Sequence, residues 1–407
     1  MPEQRLNERP QNSLKYSALP MALWRSGMYF APGYRDKRVA NHSTAGLPAP
    51  GTSAGAIFSV LADEMVLAGF KIIRNPPTDQ TWERFGYEVA HAEEQFDAAG
   101  WLADPRSYHQ DPSVPDDIHS AAVARYATLG LPWQQLRWAS TWQPWPDEPG
   151  AQRWLGYADN RRASAWILRH HDSQPRHWAV LVHGTEQGRL LVDQMVFRAR
   201  KLHEELGCNV LLPLLPLHGS RRTRDGAGTG FPTVDPLDNV HGLAQSAFDV
   251  RTLLRWIETQ SPASVSVSGL SLGGYVAALV AGLEPALGAV VGMVPAVDFP
   301  EVFHRQSPKE MRGQERFEAM AAASARVHEV VSPLRFTPAT PPERLYVVAG
   351  LHDRLLDPRA QTARLVDHWG TSNVTWLARG HVTHMSSPEL TAVLCDAISA
   401  APMLTPR

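Results

Sequence analysis

Cysteine is scarce in this chain. Two cysteines, Cys208 and Cys395, occur in 407 residues, which is too few for a disulfide framework. We therefore expect both to be small buried residues in a reducing compartment. An excess of charge is lacking as well, since 39 basic residues stand against 41 acidic ones. Because no net field would attract nucleic acid or an anionic membrane, neither is expected as a partner.

A leader sequence and a membrane span are also missing from the pattern. The first 15 residues, MPEQRLNERPQNSLK, are polar and contain no apolar stretch typical of a secretory signal. A cytoplasmic location is the expectation. Residues 259–283 carry no charged side chain and are long enough to cross a bilayer. Pro262 and a glycine cluster divide them, so we interpret this segment as a buried strand followed by a helix.

The chain changes character near residue 150, after the Trp- and Pro-rich passage WASTWQPWPDEPG. Residues 1–150 are predicted to be a mostly helical N-terminal extension. Apolar residues recur at helical spacing in residues 55–73, and residues 81–102 predict a second helix. These helices either pack against the following domain or line a substrate entrance. Residues 151–407 are predicted to form one domain.

From residue 152 onward, short apolar strands alternate with helices. Strands are predicted at RWLGYAD, ASAWILRHH, HWAVLVHG, NVLLPLLPLHG, SVSVSGL, GAVVGMVPAVD, RLYVVAGLHD and NVTWLARGH, and helices at residues 190–206, 240–260, 272–283, 358–369 and 388–400. This alternation predicts a mainly parallel sheet with helices on both faces. Residues 298–343 form a longer insertion of helical pattern. It would lie over the carboxyl ends of the strands, where such sheets bind ligands, and is a candidate lid.

The sequence Gly269-Leu270-Ser271-Leu272-Gly273 lies between the strand SVSV and the helix that begins GGYVAALVAG. A nucleophilic serine on a sharp strand-to-helix turn needs small residues two positions before and after it, because strand and helix crowd each other there. The pattern G-x-S-x-G in this setting predicts that Ser271 is a nucleophile. The alternative is a structural serine in a tight turn.

A carboxylate and an imidazole are needed to activate such a serine, and each has two candidates. LYVVAGLHDRLLDP offers Asp353 at the tip of a late strand and Asp357 immediately before Pro358. Asp357 is better explained as a helix N-cap. WLARGHVTHM offers His381 and His384 after the last strand. Either histidine alone would be an ordinary loop residue, but an upstream serine and aspartate make the set informative.

In these motifs and in their order, Ser, Asp, His, the chain resembles the α/β-hydrolase superfamily from about residue 150 onward. The resemblance implies an α/β-hydrolase fold with Ser271 as the nucleophile. It also implies Asp353 as the acid and His381 as the base, since these positions match the family's. An oxyanion hole is implied too, formed by the backbone N–H of Leu272 and, from the loop after VLVHG, of Thr185. His183 resembles the histidine that shapes this loop.

The resemblance implies a serine hydrolase, similar to carboxylesterases and lipases, that cleaves a small-molecule carboxylic ester through an acyl-enzyme. Thioesterases, amidases, peptidases and acyltransferases use the same residues. A non-catalytic binding protein on the same fold is the alternative of another class. No cofactor is expected, because no phosphate-binding glycine motif appears. No metal is expected either, because the histidines of residues 169–177 lack a spaced second ligand pair.

Overall fold

The structure, a computed structural model, describes residues 11–31, 46–73, 77–223, 230–307 and 310–402. Within these residues nine strands form one sheet in the order β1-β2-β3-β5-β4-β6-β7-β8-β9. The strands are β1 (His119–Ala122), β2 (Gln134–Ala139), β3 (Arg162–Leu168), β4 (His177–Val182), β5 (Asn209–Pro213), β6 (Ser264–Leu270), β7 (Ala289–Met293), β8 (Leu345–Gly350) and β9 (Val374–Leu377). Residues 1–10, which include most of the polar start, lie outside the described ranges, as do residues 308–309 of the insertion.

The sheet combines an antiparallel edge with a parallel centre. Strands β1, β2, β3 and β5 pair antiparallel in that order. Strands β5, β4, β6, β7, β8 and β9 pair parallel. The chain passes from β4 to β5 on one side and then to β6 on the other, so strand order reverses at β4. The crevice between the loops that follow β4 and β6 is where sheets of this kind place ligands. The mainly parallel sheet is confirmed.

Eleven α-helices flank the sheet or precede it within the described residues. They are α1 (Gln11–Tyr29), α2 (Ala54–Ile73), α3 (Asp79–Ala98), α4 (Ala151–Gly156), α5 (Leu190–Val196), α6 (Pro236–Glu258), α7 (Leu272–Leu283), α8 (Phe299–Gln306), α9 (Glu315–Val327), α10 (Thr362–Trp369) and α11 (Pro388–Ser399). Several begin where the sequence provides a cap. Asp235 accepts hydrogen bonds from two N–H groups of the first turn of α6, and Ser387 does so from Leu390 in α11. Proline occupies the next position in both.

The region before residue 150 contains two strands that the periodicity did not reveal. Strands β1 and β2 join the same sheet as the rest of the chain, so the sheet extends to both sides of residue 150. In β2 only Leu136 and Trp138 are buried, which is the alternation of a half-buried strand. Helices α2 and α3 lie where residues 55–73 and 81–102 predicted them. The domain boundary near residue 150 stays a prediction.

Several predicted elements were wrong in type or extent. The helix predicted from residue 358 begins at Thr362, and the strand predicted over GAVVGMVPAVD ends at Met293. RWLGYAD is not a strand: it forms α4 and a 3₁₀ turn, because Ala151 and Trp154 are buried at helical spacing. The helix predicted over residues 190–206 is broken, since Arg198 adopts a positive φ of 55° after α5. The strand predicted over NVLLPLLPLHG ends at Pro213, because a proline cannot donate a ladder hydrogen bond.

Residues 298–343 contain α8 and α9, as their pattern predicted, and rejoin the sheet at β8. The Phe299 ring stacks on Tyr275 of α7 with centroids 5.0 Å apart. On α9, Phe317 meets Trp82 of α3 edge-on at 6.1 Å. The insertion therefore packs on the helices of the sheet and on the N-terminal region. Its role as a lid stays a prediction.

The uncharged segment 259–283 is a βα unit, made of β6 and α7, as predicted. Its residues are almost all buried between the neighbouring strands β4 and β7 and the helices above them. Among the helices of the described ranges, none combines the length and apolarity needed to cross a membrane. The cytoplasmic location stays a prediction.

Candidate active site

Ser271 occupies the turn between β6 and α7. Its backbone is at φ 55° and ψ −112°, a combination that costs a non-glycine residue free energy and persists only where surrounding contacts enforce it. Those contacts are present, because the Ser271 N–H donates to the Met293 carbonyl at 2.8 Å and the Ser271 carbonyl accepts from Ala296 at 3.2 Å. Strand β7 and the loop after it therefore hold the serine in a strained conformation that projects its side chain from the sheet.

Glycines beside Ser271 allow strand and helix to approach this closely. A Cβ atom on Gly269 would lie 1.9 Å from the Gly273 carbonyl oxygen, and one on Gly273 would lie 2.0 Å from the Val182 carbonyl oxygen of β4. Both distances are far inside van der Waals contact with backbone atoms, which cannot move aside as a flexible side chain would. The G-x-S-x-G pattern is thus a packing requirement of this turn.

Replacement of Gly273 with alanine is expected to destabilise the protein by about 4 kcal/mol or more, because the added methyl group overlaps β4 backbone. Denaturant unfolding monitored by circular dichroism measures the change. Gly86→Ala is the matched control, since Gly86 lies within α3 and a Cβ added there would have no heavy atom within 4 Å. The control should gain up to about 1 kcal/mol from helix propensity. Equal stability of the two variants would contradict the packing argument.

The fold brings the three predicted side chains into one hydrogen-bonded series. Ser271 Oγ lies 3.0 Å from His381 Nε2, and His381 Nδ1 lies 2.6 Å from Asp353 Oδ2. The remaining Asp353 oxygen, Oδ1, accepts the N–H groups of Leu355 at 2.9 Å and Leu356 at 2.7 Å. Since a carboxylate only accepts, the network assigns the imidazole proton to Nδ1 and leaves Nε2 free to accept from the serine.

Two effects of opposite sign act on the His381 imidazole. Burial favours the neutral ring, but the carboxylates of Asp353 and, more weakly, Asp63 outweigh it and raise the pKa of His381 above its ordinary value. The imidazole is therefore a stronger base than a free histidine. It would also hold a proton more firmly once it has taken one from Ser271.

The alternative candidates for the acid and the base, Asp357 and His384, bond to other residues. Asp357 pairs with Arg305 at 2.6 Å and accepts the Arg359 N–H at 2.9 Å, so it stabilises the turn before α10. His384 is buried, and its Nδ1 bonds to the His381 carbonyl oxygen. Burial, together with the neighbouring His381, lowers the pKa of His384 to about 3 and keeps its ring neutral. Within the described hydrogen bonds, neither residue reaches Ser271.

The predicted oxyanion donors belong to two segments that meet at Ser271. Leu272 is the first residue of α7, where the N–H has no carbonyl one turn earlier in the helix to bond with. Thr185 follows Gly184, where an added Cβ would lie 3.4 Å from Ser271 Cβ, so the loop after β4 passes beside the serine. His183 holds this loop in place through two hydrogen bonds. Its Nε2 accepts from the Leu215 N–H at 3.1 Å, and its Nδ1 donates to the Gly184 carbonyl oxygen at 2.8 Å.

A second acidic residue, Asp63 of α2, lies at the site and was missed by the sequence reasoning. Its side chain is fully buried and accepts the N–H groups of His381 and Val382 at 2.7 and 2.9 Å. The available signal was a pair of adjacent acids, Asp63-Glu64, inside the apolar helical pattern FSVLADEMVLAG. Buried acids in such a helix require partners, but the pattern does not identify them.

The histidines of residues 169–177 do not converge on one point. His170 stacks on His203 with centroids 3.9 Å apart, and Asp172 pairs with Arg176. His177 bonds instead to the Ser266 hydroxyl at 2.8 Å. Over the ranges that the structure describes, no group of three His, Cys, Asp or Glu side chains could hold a metal ion.

Sheet topology, the strained serine turn and the order of the site residues define the class of protein. The chain belongs to the α/β-hydrolase superfamily, and the family model described as "alpha/beta hydrolase domain containing 18" matches residues 162–304. More narrowly, it belongs to one family with uncharacterized proteins from two strains of Mycobacterium tuberculosis. Each is 36% identical over 363 residues, which are 89% of this chain and 86% of the relative.

A solved structure agrees in fold, and a second one is similar. Acetyl xylan esterase 1 from Thermoanaerobacterium sp. is 12% identical, with a TM-score of 0.50 over 75% of this chain and 94% of the esterase. An acetyl xylan esterase from Paenibacillus sp. is 15% identical, with a TM-score of 0.47 over 74% of this chain and 99% of that one. At these identities the likeness extends to the fold alone.

Proposed function

We propose that this protein is a serine hydrolase that cleaves a carboxylic ester of a small molecule through an acyl-enzyme. The observation that carries the proposal is the series from Asp353 through His381 to Ser271, with distances of 2.6 and 3.0 Å. A strained, glycine-flanked serine bonded to a half-buried, carboxylate-paired imidazole is the arrangement that activates a hydroxyl for attack on a carbonyl.

In the proposed mechanism, Ser271 Oγ attacks the ester carbonyl carbon while His381 Nε2 takes the hydroxyl proton. The oxyanion of the tetrahedral intermediate accepts hydrogen bonds from the backbone N–H groups of Leu272 and Thr185. As the intermediate collapses, the ester C–O bond breaks and His381 gives its proton to the departing alcohol. Water then attacks the acyl-enzyme carbonyl carbon and loses a proton to His381. The bond from this carbon to Ser271 Oγ breaks, His381 returns the proton to Ser271, and the acid is released. Asp353 holds the ring in the required tautomer and stabilises the imidazolium in both halves.

We propose that the part of the substrate bound by the protein is an apolar acyl or aryl group. Ile57 and Phe58 of α2 are 53% and 65% exposed, and the next residue, Ser59, bonds to Thr383 at 2.8 Å. Thr383 is two residues beyond His381, so the helix that exposes these apolar side chains also contacts the loop that carries the base. A hydrophobic acyl chain would gain free energy by covering Ile57 and Phe58.

Labelling with a fluorophosphonate, read by intact-protein mass spectrometry, tests the proposal together with hydrolysis of p-nitrophenyl esters of increasing chain length. We expect one adduct on Ser271 and faster turnover of medium-chain esters than of the acetate. Added alcohol distinguishes acyl transfer, because an acyltransferase would divert most product from the acid to a new ester. A folded protein that takes no adduct and cleaves no ester would refute the proposal in favour of a binding protein.

A further inference from the structure

Helix α2, from the N-terminal region, reaches the loop that carries His381. Ser59 and Asp63 are four residues apart and therefore share one face of α2. Both are buried, and both bond to residues 380–383: Ser59 to the Thr383 hydroxyl, and Asp63 to the N–H groups of His381 and Val382. The contact joins residues more than 300 positions apart, so it is a tertiary feature and not local loop structure.

Asp63 also holds the loop that carries the acid. Its Oδ2 accepts the Arg354 N–H at 3.0 Å and the His381 N–H at 2.7 Å, while Oδ1 accepts the Val382 N–H at 2.9 Å. Arg354 directly follows Asp353, so one carboxylate joins the backbones of the two loops that present the acid and the base. Three N–H donors satisfy a fully buried carboxylate and stabilise its charge.

The approach of α2 is close enough to restrict the residue before His381. A Cβ on Gly380 would lie 2.6 Å from Asp63 Oδ2 and 2.9 Å from Asp63 Oδ1. Only glycine leaves room for the carboxylate at this point. The neighbouring Glu64 has a separate role, since it pairs with the Arg354 guanidinium at 2.7 Å. The Tyr29 ring of α1 covers the same guanidinium at 4.8 Å.

We propose that Asp63 is a positioning residue of the active site, through which the N-terminal helices set the relative placement of Asp353 and His381 and stabilise the His381 imidazolium. The inference rests on the proposed function, because it assigns Asp63 to that same reaction. Burial, followed by the Asp353 carboxylate, raises the pKa of Asp63 to about 6, so it is charged at neutral pH and above. The charged groups that face it are Asp353 and His381, whereas Arg354 directs its guanidinium to Glu64.

Asp63→Asn tests this role, because it keeps the shape of the side chain and removes the charge. Glu64→Gln is the matched control, from the next position on the same helix. A negative charge near an imidazole favours its protonated form, so its removal lowers the pKa of His381. His381 must be neutral to accept the Ser271 proton. The acidic limb of kcat/KM should therefore move to lower pH in Asp63→Asn, by about one unit.

Two readouts separate positioning from general stability. At a pH above the acidic limbs of wild type and variant, Asp63→Asn should lower kcat about tenfold or more with little change in KM. The reason is that the Ser271 hydroxyl and His381 Nε2 are misaligned. Titration of the His381 ring, followed by NMR of 13C-histidine protein and assigned with His381→Gln, should show the lowered pKa directly. Glu64→Gln should stay within about threefold of wild type in kcat and leave the His381 titration unchanged.

The outcomes distinguish this inference from the proposed function. If the protein hydrolyses esters but Asp63→Asn changes neither kcat nor the pKa of His381, the positioning role is overturned and the proposed function stands. The same holds if Glu64→Gln changes both quantities as much as Asp63→Asn does. If the wild type hydrolyses no ester but the pKa of His381 still falls in Asp63→Asn, the proposed function is overturned and the positioning role stands. If Asp63→Asn does not fold, Asp63→Ser makes room for a water and is measured in its place. If neither folds, Gly380→Ala is measured in their place, because its methyl group would displace the Asp63 carboxylate. A fall in kcat and in the pKa of His381 would support the inference, and no change in either would overturn it.

Discussion

Replacement of Ser271 with alanine is expected to lower kcat for ester hydrolysis by about 10⁴-fold or more and to abolish fluorophosphonate labelling. The proposed reaction forms a covalent bond to Ser271 Oγ, and a methyl group offers no substitute. His381 and Asp353 would remain in place, because Ser271 contributes one 3.0 Å hydrogen bond to the series and its backbone is held by Met293 and Ala296. Steady-state kinetics and intact mass measure both effects.

Ser268→Ala is the matched control for this prediction. Ser268 lies three residues earlier, on β6, and is fully buried, and its hydroxyl makes no hydrogen bond within the described residues. Its removal should leave kcat and labelling within about twofold of wild type, since no partner is left unpaired. A Ser271→Ala protein that still takes one fluorophosphonate adduct would mean that another residue is the nucleophile.

Asp353→Asn is expected to lower kcat by about 10⁴-fold while the fold persists. The amide group can donate to His381 Nδ1, which stabilises the wrong tautomer and turns the Nε2 proton toward Ser271. It also removes the carboxylate that raises the pKa of His381. Single-turnover kinetics with an activated ester would show slower acylation. Thermal unfolding would show whether the loss reflects chemistry or stability.

Asp357→Asn provides the comparison, because the two aspartates are four residues apart and were both candidates. Asp357 pairs with Arg305 at 2.6 Å and stabilises a turn. Its replacement should cost about 1 kcal/mol of stability and change kcat by less than about threefold. A larger loss of kcat in Asp357→Asn than in Asp353→Asn would reverse the assignment of the acid.

Local pattern was informative wherever one short segment determines its own geometry. The segment around Ser271 contains its strand, its turn glycines and its helix, so the strained turn could be predicted from 11 adjacent residues. The parallel sheet followed from alternating apolar strands and helices, and the fold confirms it. The prediction for RWLGYAD failed for the converse reason. Seven residues with four apolar side chains fit either the strand or the helix period, and the burial of Trp154 beside Gln245 favoured a helix.

Contacts between distant segments could not be read from the same patterns. Asp353 and His381 were each one of a pair of candidates, and their positions relative to Ser271 depend on how β8 and β9 align with β6. Asp63 lies 318 positions from His381, in a helix whose periodicity predicts a buried face but not its partner. Strands β1 and β2 were missed because their short segments acquire their role only through pairing, of β1 with β2 and of β2 with β3.

The sequence by itself therefore determined the class of fold, the strained serine turn and a short set of candidates for acid and base, because these depend on the steric and hydrogen-bonding limits of a few consecutive residues. The resemblance favoured Asp353 over Asp357 and His381 over His384, but only the tertiary structure decided that His381 reaches Ser271 and that Asp353 reaches His381. It also decided that a carboxylate from α2 joins their two loops. Hydrogen bonds and burial between segments hundreds of residues apart depend on the relative placement of whole strands and helices, and no local pattern encodes that placement.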